Sequence, residues 1–224
     1  MAVGVMSALG IGVSVGIIAF GGGFSGEGPS IFNPPTDADI FVIGSNVRDG
    51  MSLEYRVTAM DPDFPLVGSR VSMNFAEQDD RWKATFNVTK DTTTKEFDIL
   101  LSKQLTNDGQ VSEDVRPFFQ PVESSVLAIR DMDYGNRPKY LVVGAPWDTI
   151  FYGSSSTTVK IVSQQTIQTP AGSFDSYVLG YKLKDKESRI WMTKEVPFPV
   201  KAEVYDPEDK LFYSYELIRA DNIR

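Results

Sequence analysis

Hydrophobic and polar residues alternate along most of the chain after its first 36 residues. The clearest run is Arg81 to Thr89, where every second residue from Trp82 onward is apolar and the residues between are polar. A period of two residues is typical of a β-strand with one buried and one solvated face. The same alternation predicts further strands, in each of which these residues share one face: Leu53, Tyr55, Val57 and Ala59; Val71, Met73 and Phe75; Phe97, Ile99 and Leu101; Thr157, Val159, Ile161 and Ser163; Tyr177, Leu179, Tyr181 and Leu183; Val200, Ala202 and Val204; Leu211, Tyr213, Tyr215 and Leu217.

Short, turn-like segments connect these strands. Examples are Asp61-Pro62-Asp63, Glu77 to Asp80, Lys90 to Thr94 and Lys184 to Glu187. Parallel neighbours would require crossovers of about a dozen residues or more, so connections this short predict antiparallel pairing. The predicted fold class is therefore mainly β: a single antiparallel curved sheet or half-barrel.

The middle of the chain departs from this alternation. Apolar residues recur at helical spacing between residues 122 and 130, directly after Pro121, a residue type that suits the first turn of a helix. We therefore predict one short helix over 122–130, a turn over 131–138 and a strand from Lys139 to Val143.

The first 20 residues differ from everything that follows. Residues 2–20 are apolar and uncharged, and about 20 such residues can cross the hydrocarbon core of a bilayer as a helix. Small residues recur every four positions and line one face of that helix, a pattern that favours close packing of membrane helices: Gly4, Ala8, Gly12 and Gly16. We predict a transmembrane anchor over 1–20, a Gly/Ser/Pro linker over 21–36 and an antiparallel β domain over 37–224.

A cleaved signal peptide is the alternative interpretation of the first segment. Signal peptides carry a positive n-region and a small-residue cleavage site, whereas no Lys or Arg precedes Arg48 and no A-x-A-like site follows Phe20. The first charges beyond the run are acidic, so nothing holds that side in the cytoplasm. We expect a single-pass protein of the cell membrane with an extracytoplasmic body. The tripeptide Asn87-Val88-Thr89 fits this location and makes Asn87 a candidate for glycosylation.

Composition narrows the possible chemistry. The chain has no cysteine and no histidine, which excludes disulfides, Cys nucleophiles, His-based triads and thiolate zinc sites within it. The chain is acidic, with 22 basic and 30 acidic residues, and its basic residues form no cluster. Nucleic-acid binding is therefore not expected. The acidic turn around Asp131, Asp133 and Asn136 is more typical of turn chemistry than of a metal site. We expect a non-enzymatic protein without a metal or cofactor.

A longer pattern lies within Thr157 to Leu217. It comprises a turn, a charged hairpin, a tryptophan-bearing strand and a proline-led strand, with these matching residues: Pro170, Ala171, Gly172, Phe174, Trp191, Pro199, Val200 and Lys201. The pattern resembles the C-terminal part of uncharacterised extracytoplasmic β domains related to LolA/LolB-like lipoprotein carriers. In those carriers a curved antiparallel sheet wraps around a helical lid and encloses an apolar cavity. The chain departs from the carriers because it lacks a lipid-anchor cysteine.

Five aromatic residues are candidates for lining a cavity of that kind: Trp82, Phe86, Trp147, Phe151 and Trp191. Pockets for lipid chains are mostly apolar, although ordinary core packing would also account for these residues. Two functions stay open. One is an accessory subunit of a membrane protein complex, which binds other subunits or itself through the N-terminal helix. The other is a lipid-binding or lipoprotein-binding half-barrel.

Overall fold

The structure is a computed structural model, and it describes residues 32–58, 65–133, 139–152 and 155–223. The predicted transmembrane helix, with Gly4, Ala8, Gly12 and Gly16, lies outside the described residues, as do most of the linker and the turn at 61–63. Contacts within the chain define a compact unit over 32–224. In the described ranges, no helix is both long enough and apolar enough to span a membrane.

Twelve strands and two short helices make up the described part of the unit. The strands are β1 Ile40–Phe41, β2 Ser52–Val57, β3 Arg70–Gln78, β4 Arg81–Lys90, β5 Thr93–Leu101, β6 Lys139–Tyr140, β7 Pro146–Tyr152, β8 Ser155–Thr169, β9 Gly172–Lys182, β10 Glu187–Met192, β11 Lys201–Tyr205 and β12 Leu211–Asp221. Ten of them form one antiparallel sheet in the order β5-β4-β3-β2-β12-β11-β10-β9-β8-β7, while β1 and β6 form a separate pair. A mainly β fold built on one large antiparallel sheet is therefore confirmed, and the described strands leave that sheet open.

Alternation along the strands gives the large sheet one buried face, which we call the inner face. On β2 to β5 it carries residues such as Tyr55, Met73 and Phe86, all essentially inaccessible to solvent. The opposite, outer face is polar over the same strands and is crossed by side-chain pairs between neighbouring strands. These include Arg56 with Glu216, Lys83 with Asp98 at 2.8 Å, Thr85 with Asp98 at 2.7 Å and Asn87 with Glu96 at 2.8 Å.

The hairpin turns follow the predicted chemistry. Asp79 and Asp80, between β3 and β4, have φ angles of 46° and 59°. Two successive positive φ angles are the geometry of a two-residue hairpin turn whose twist matches the flanking strands. Asp91 (φ 54°) occupies the equivalent bend between β4 and β5. Aspartate tolerates the left-handed region of positive φ better than most residues, which explains why these tight turns contain it.

The helix lies earlier than predicted. Helix α1 spans Arg116–Glu123, with Pro117 at its start and Pro121 inside it, and a separate 3₁₀ helix spans Ala128–Asp133. The prediction over 122–130 was wrong because two serines interrupt the helical pattern. The Ser124 and Ser125 hydroxyls donate to the Pro121 carbonyl oxygen, at 3.3 and 2.6 Å, and so compete with a continued helical ladder.

Two strand predictions also need correction. The strand predicted over Lys139 to Val143 is only two residues long, and the chain then turns at Gly144 (φ 92°) into β7, which the sequence pattern missed. In β8, Ser163 was predicted to share a face with Ile161. A bulge between these two residues shifts the register, so that Ser163 pairs with Val178 and faces the outer side.

Candidate functional site

The predicted aromatic residues lie in separate parts of the fold. Trp82 and Phe86 are buried on the inner face of β4. The Phe86 ring stacks on Phe97 at 5.5 Å and meets Phe119 of α1 edge to face at 5.5 Å. Trp147 lies on β7, the opposite edge strand, and packs on Phe41 at 5.6 Å. Ring contacts at these distances are typical of core packing.

The other two aromatic candidates face different surroundings. Trp191 is buried on the outer side of β10, where the Lys201 ammonium lies 4.9 Å from its ring centre. Phe151, near the end of β7, is 76% exposed. None of the five residues lines either of two cavities of the described part, one beside α1 and one at its start.

The larger cavity is an open cleft of about 820 Å³ between α1 and the loop before it. Its wall is mostly polar, and Phe119 forms its apolar base. The residues that line it include Asn107, Gln110, Glu113, Arg116, Phe119 and Gln120. Arg116 and Glu113 form an ion pair at 3.3 Å within it. Nothing in the sequence pattern predicts this cleft, because amides and charges in a loop carry no periodic signal.

The loop that forms the cleft is tied to the sheet. Asp114 accepts hydrogen bonds from the Ser112 hydroxyl at 2.7 Å and from the Lys95 ammonium of β5 at 2.9 Å. Together these contacts, the Ser112 bond first, lower the pKa of the Asp114 carboxyl. The cleft thus offers amides and an ion pair, the groups that bind polar or peptide ligands. No cluster of three or more metal-ligating side chains occurs in the described ranges.

A smaller cavity of about 260 Å³ lies at the start of α1, bordered by Ser69 and Lys90. The Lys90 ammonium donates to the Pro65 carbonyl oxygen at 3.2 Å. The Ser69 hydroxyl is buried, and no described group accepts or donates a hydrogen bond to it. A buried, unpartnered hydroxyl beside a cavity of this size has room for a bound water molecule.

A buried arginine fixes α1 to the rest of the fold. The Arg130 side chain, 5% exposed, pairs with the Glu123 carboxylate at the end of α1. It also donates to the Leu105 carbonyl oxygen at 3.0 Å. Leu105 is itself buried and adopts a φ of 65°. One guanidinium therefore joins α1, the 3₁₀ helix and the loop after β5, and so positions one wall of the cleft.

We expect Arg130→Met to lower the free energy of unfolding by about 2–3 kcal/mol, because it leaves a carboxylate and a buried carbonyl without their donor. Arg116→Met is the matched control, since its ion pair with Glu113 is largely exposed and should contribute less than about 0.5 kcal/mol. Urea unfolding of both variants measures the difference. Equal losses would contradict the role assigned to Arg130.

Four tyrosines lie close together on the inner face. Tyr55 of β2 meets Tyr215 of β12 edge to face at 5.8 Å, and Tyr215 stacks on Tyr213 at 6.1 Å. Burial raises the pKa of Tyr55, Tyr213 and Tyr215 well above the usual value for a phenol. Burial also raises the pKa of Tyr181 on β9, which a hydrogen bond to Ser188 opposes. The rings of Tyr55, Tyr213 and Tyr215 are buried and contact one another, so they pack the inner face.

Exposed apolar side chains occur around the β1–β6 pair. Ile40 on β1 and Val42, the residue just after β1, are exposed to solvent. Val143, three residues after the end of β6, is exposed as well. Tyr140 pairs with Ile40 and lies 6.3 Å from the Phe32 ring. We call this surface the β1–β6 surface; Ile40 and Val42 are close in sequence to the start of the described unit.

Asn87, the glycosylation candidate, lies on the outer face of β4. Its side-chain nitrogen donates to the Glu96 carboxylate of β5 at 2.8 Å, and the Thr89 hydroxyl is 3.0 Å from that of Thr94. Both polar groups of the sequon therefore take part in cross-strand contacts. Asn136 of the acidic turn lies outside the described residues.

No protein family matches the sequence, and no curated protein matches it. One solved structure that aligns is the MucA/MucB complex of Pseudomonas aeruginosa, with a TM-score of 0.43 and 8% identity. The alignment covers 80% of this chain and 54% of that one, so this chain spans about half the length of the chain it matches. A likeness this weak carries no argument about function, and the resemblance to LolA/LolB-like carriers stays a prediction.

Proposed function

We propose that this chain is a non-enzymatic, membrane-anchored protein whose β domain lies on the extracytoplasmic side and acts as an accessory subunit of a membrane protein complex. The observation that carries the proposal is the β1–β6 surface, where Ile40, Val42 and Val143 are each more than half exposed. Apolar side chains grouped at a surface are typical of protein interaction sites. Ile40 and Val42 follow the predicted anchor closely in sequence, which supports a partner at the membrane.

Packing of the inner face supports the subunit function over the carrier function. Phe86, Phe97 and Phe119 fill the space between the sheet and α1, with ring centres 5.5 to 6.1 Å apart. Phe198 fills a second region against Phe75, at 6.2 Å. Side chains of the protein itself thus occupy the space that a lipid chain would take in a carrier, and the 820 Å³ cleft has a mostly polar wall.

Co-purification from detergent-solubilised native membranes tests the proposal. We expect the full chain to retain one or more membrane proteins, and Ile40→Lys/Val42→Lys to lose at least about 1.4 kcal/mol of binding, a tenfold weaker association. Asn74→Lys, on the exposed outer face of β3, is the matched control and should retain the partners. Circular dichroism shows whether each variant is folded.

Two outcomes would overturn the proposal. One is retention of every partner by the Ile40→Lys/Val42→Lys variant. The other is a stoichiometric lipid, detected by mass spectrometry of the same preparation, with no protein partner, because that result assigns the carrier function instead. The Gly12→Leu/Gly16→Leu variant separates the contribution of the predicted helix from that of the β1–β6 surface.

A further inference from the structure

Strand β8 is paired on different sides along its length. Its first part, up to Lys160, pairs with β7, and the Ile161 backbone bonds to Gly144 and Ala145 on the same side. Its second part, from Lys160 to Thr169, pairs with β9 on the other side. On the side away from β9, residues 163–169 therefore make no backbone hydrogen bond to any described residue. We call this stretch the β8 edge.

Three other strand edges in the described part carry features that disfavour pairing with another chain. Along β5, Asp108 N–H donates to the Leu100 carbonyl oxygen at 2.9 Å, and the strand carries charged side chains. On β7, the Lys139 ammonium donates to the Trp147 carbonyl oxygen at 2.6 Å, and the Thr149 N–H donates to the carboxylate of Asp148 at 2.7 Å. The part of β9 before Tyr177 does not pair with β10, and it contains Gly172 and Asp175, residue types that are depleted in strands.

The β8 edge lacks these devices. Its sequence, Ser-Gln-Gln-Thr-Ile-Gln-Thr, has neither charge nor proline, whereas exposed edges usually carry one or the other. Thr166 and Gln168 donate to Asp175 and Ser173 of β9, at 2.6 and 2.8 Å, which holds the hairpin in shape. Gln164 and Gln165 are exposed. The β8 edge therefore presents a row of unpaired backbone N–H and C=O groups on a strand whose shape is fixed by the hairpin. Another extended strand can form hydrogen bonds with such a row.

We propose that a second copy of this chain pairs its own β8 edge with this one, antiparallel and about a two-fold axis at Thr166. Centring on Thr166 is the register that pairs all seven residues, with Gln164 opposite Gln168 of the other copy. Because the edge is uncharged, self-pairing brings no like charges together, although the whole chain has a net charge of −8. An isologous contact of this kind closes as a dimer.

Two further features bear on the strength of this pairing. A seven-residue edge alone buries less than the roughly 1,200 Å² of a stable interface, which predicts weak association. The pairing goes beyond the proposed function, and confinement to a membrane would strengthen it by raising the local concentration.

Cysteine crosslinking of the full chain in detergent tests the register, because the chain has no cysteine of its own. We expect Thr166→Cys to form a disulfide-linked dimer under mild oxidation, since the two-fold axis places the introduced thiols of the two copies opposite each other. Thr149→Cys, exposed on β7, is the matched control and should crosslink at least about tenfold more slowly. Equal crosslinking at both positions would indicate random collision and overturn the proposal.

Charge exchange gives an independent readout by sedimentation. Gln164→Lys/Gln168→Lys places lysines opposite each other at both ends of the edge, and we expect dimerisation about tenfold weaker or worse. Gln164→Glu/Gln168→Glu should weaken it likewise, while an equimolar mixture of the two variants should recover a heterodimer. A wild type that stays monomeric, or a mixture that does not recover, would overturn the proposal. These variants leave the β1–β6 surface unchanged, so partner retention still reports separately on the proposed function.

Discussion

The domain is expected to unfold cooperatively between about pH 11 and 12, because Tyr55, Tyr213 and Tyr215 are buried as neutral phenols. Their folded pKa values lie above the unfolded value of 10.0, so the unfolded chain releases protons that the folded chain retains. Stability is therefore unaffected below pH 10 and falls as the pH rises beyond it. Each tyrosine contributes a loss of about 1.4 kcal/mol per pH unit, or about 4 kcal/mol for the three.

The size of this effect compares with the whole stability of a domain, which is about 5–15 kcal/mol. Tyrosinate absorbance and far-ultraviolet circular dichroism, followed together against pH, measure it. Three of the chain's nine tyrosines should ionise only in the step in which the β signal is lost. Ionisation of all nine near pH 10, with the fold intact, would contradict the arrangement of the inner face.

Tyr55→Phe is the internal control for the alkaline transition. Among the described residues nothing bonds to the buried Tyr55 hydroxyl, so its removal should raise the free energy of unfolding at pH 7 by about 1 kcal/mol. The same variant loses one of the three coupled ionisations. Its stability should consequently fall with pH about a third less steeply than that of the wild type.

Alternation in the sequence predicted the β2 to β5 part of the sheet well, because each of those strands has one solvent-exposed face. In β3 and β4 a single period of two, with polar Ser72 and Asn87 between apolar residues, specifies both the strand and its inward side. Around β9 and β10 the hydrophobic pattern no longer specifies which side of a strand faces inward. Tyr177, Val178 and Leu179 are consecutive and all buried, so both faces are covered there. The bulge beside Ser163 likewise leaves no mark in the hydrophobic pattern.

The candidate sites were less predictable than the sheet, for a related physical reason. Trp82 and Trp147 were predicted as candidates for lining a cavity, and both are buried, but burial does not distinguish a ligand cavity from a packed core. The α1 cleft and the β8 edge depend on tertiary geometry. Gln110 and Gln165 are ordinary polar residues in sequence, and only the position of α1 and the offset pairing of β8 give them a surface role.

Gly44→Ala is expected to lower the free energy of unfolding by about 3–5 kcal/mol, for two separable reasons. Gly44 has a φ of 80°, a conformation that costs an alanine about 1–2 kcal/mol. A Cβ at this position would also lie 1.9 Å from the Lys103 carbonyl oxygen, far inside any permitted contact. Because the obstacle is backbone, the two loops must move apart, and buried Ile43 and Leu105 move with them.

Gly68→Ala separates the two contributions to that loss. Gly68 has a nearly equal φ of 74°, yet nothing lies within 4 Å of a Cβ built there. It should therefore show only the conformational cost, about 1 kcal/mol, in the same urea titration. Adding Lys103→Ala to Gly44→Ala should not restore stability, since the overlapping atom belongs to the main chain. Equal losses for Gly44→Ala and Gly68→Ala would mean that the loops containing Gly44 and Lys103 do not approach each other this closely, and that the loop after β5 is held by Arg130 alone.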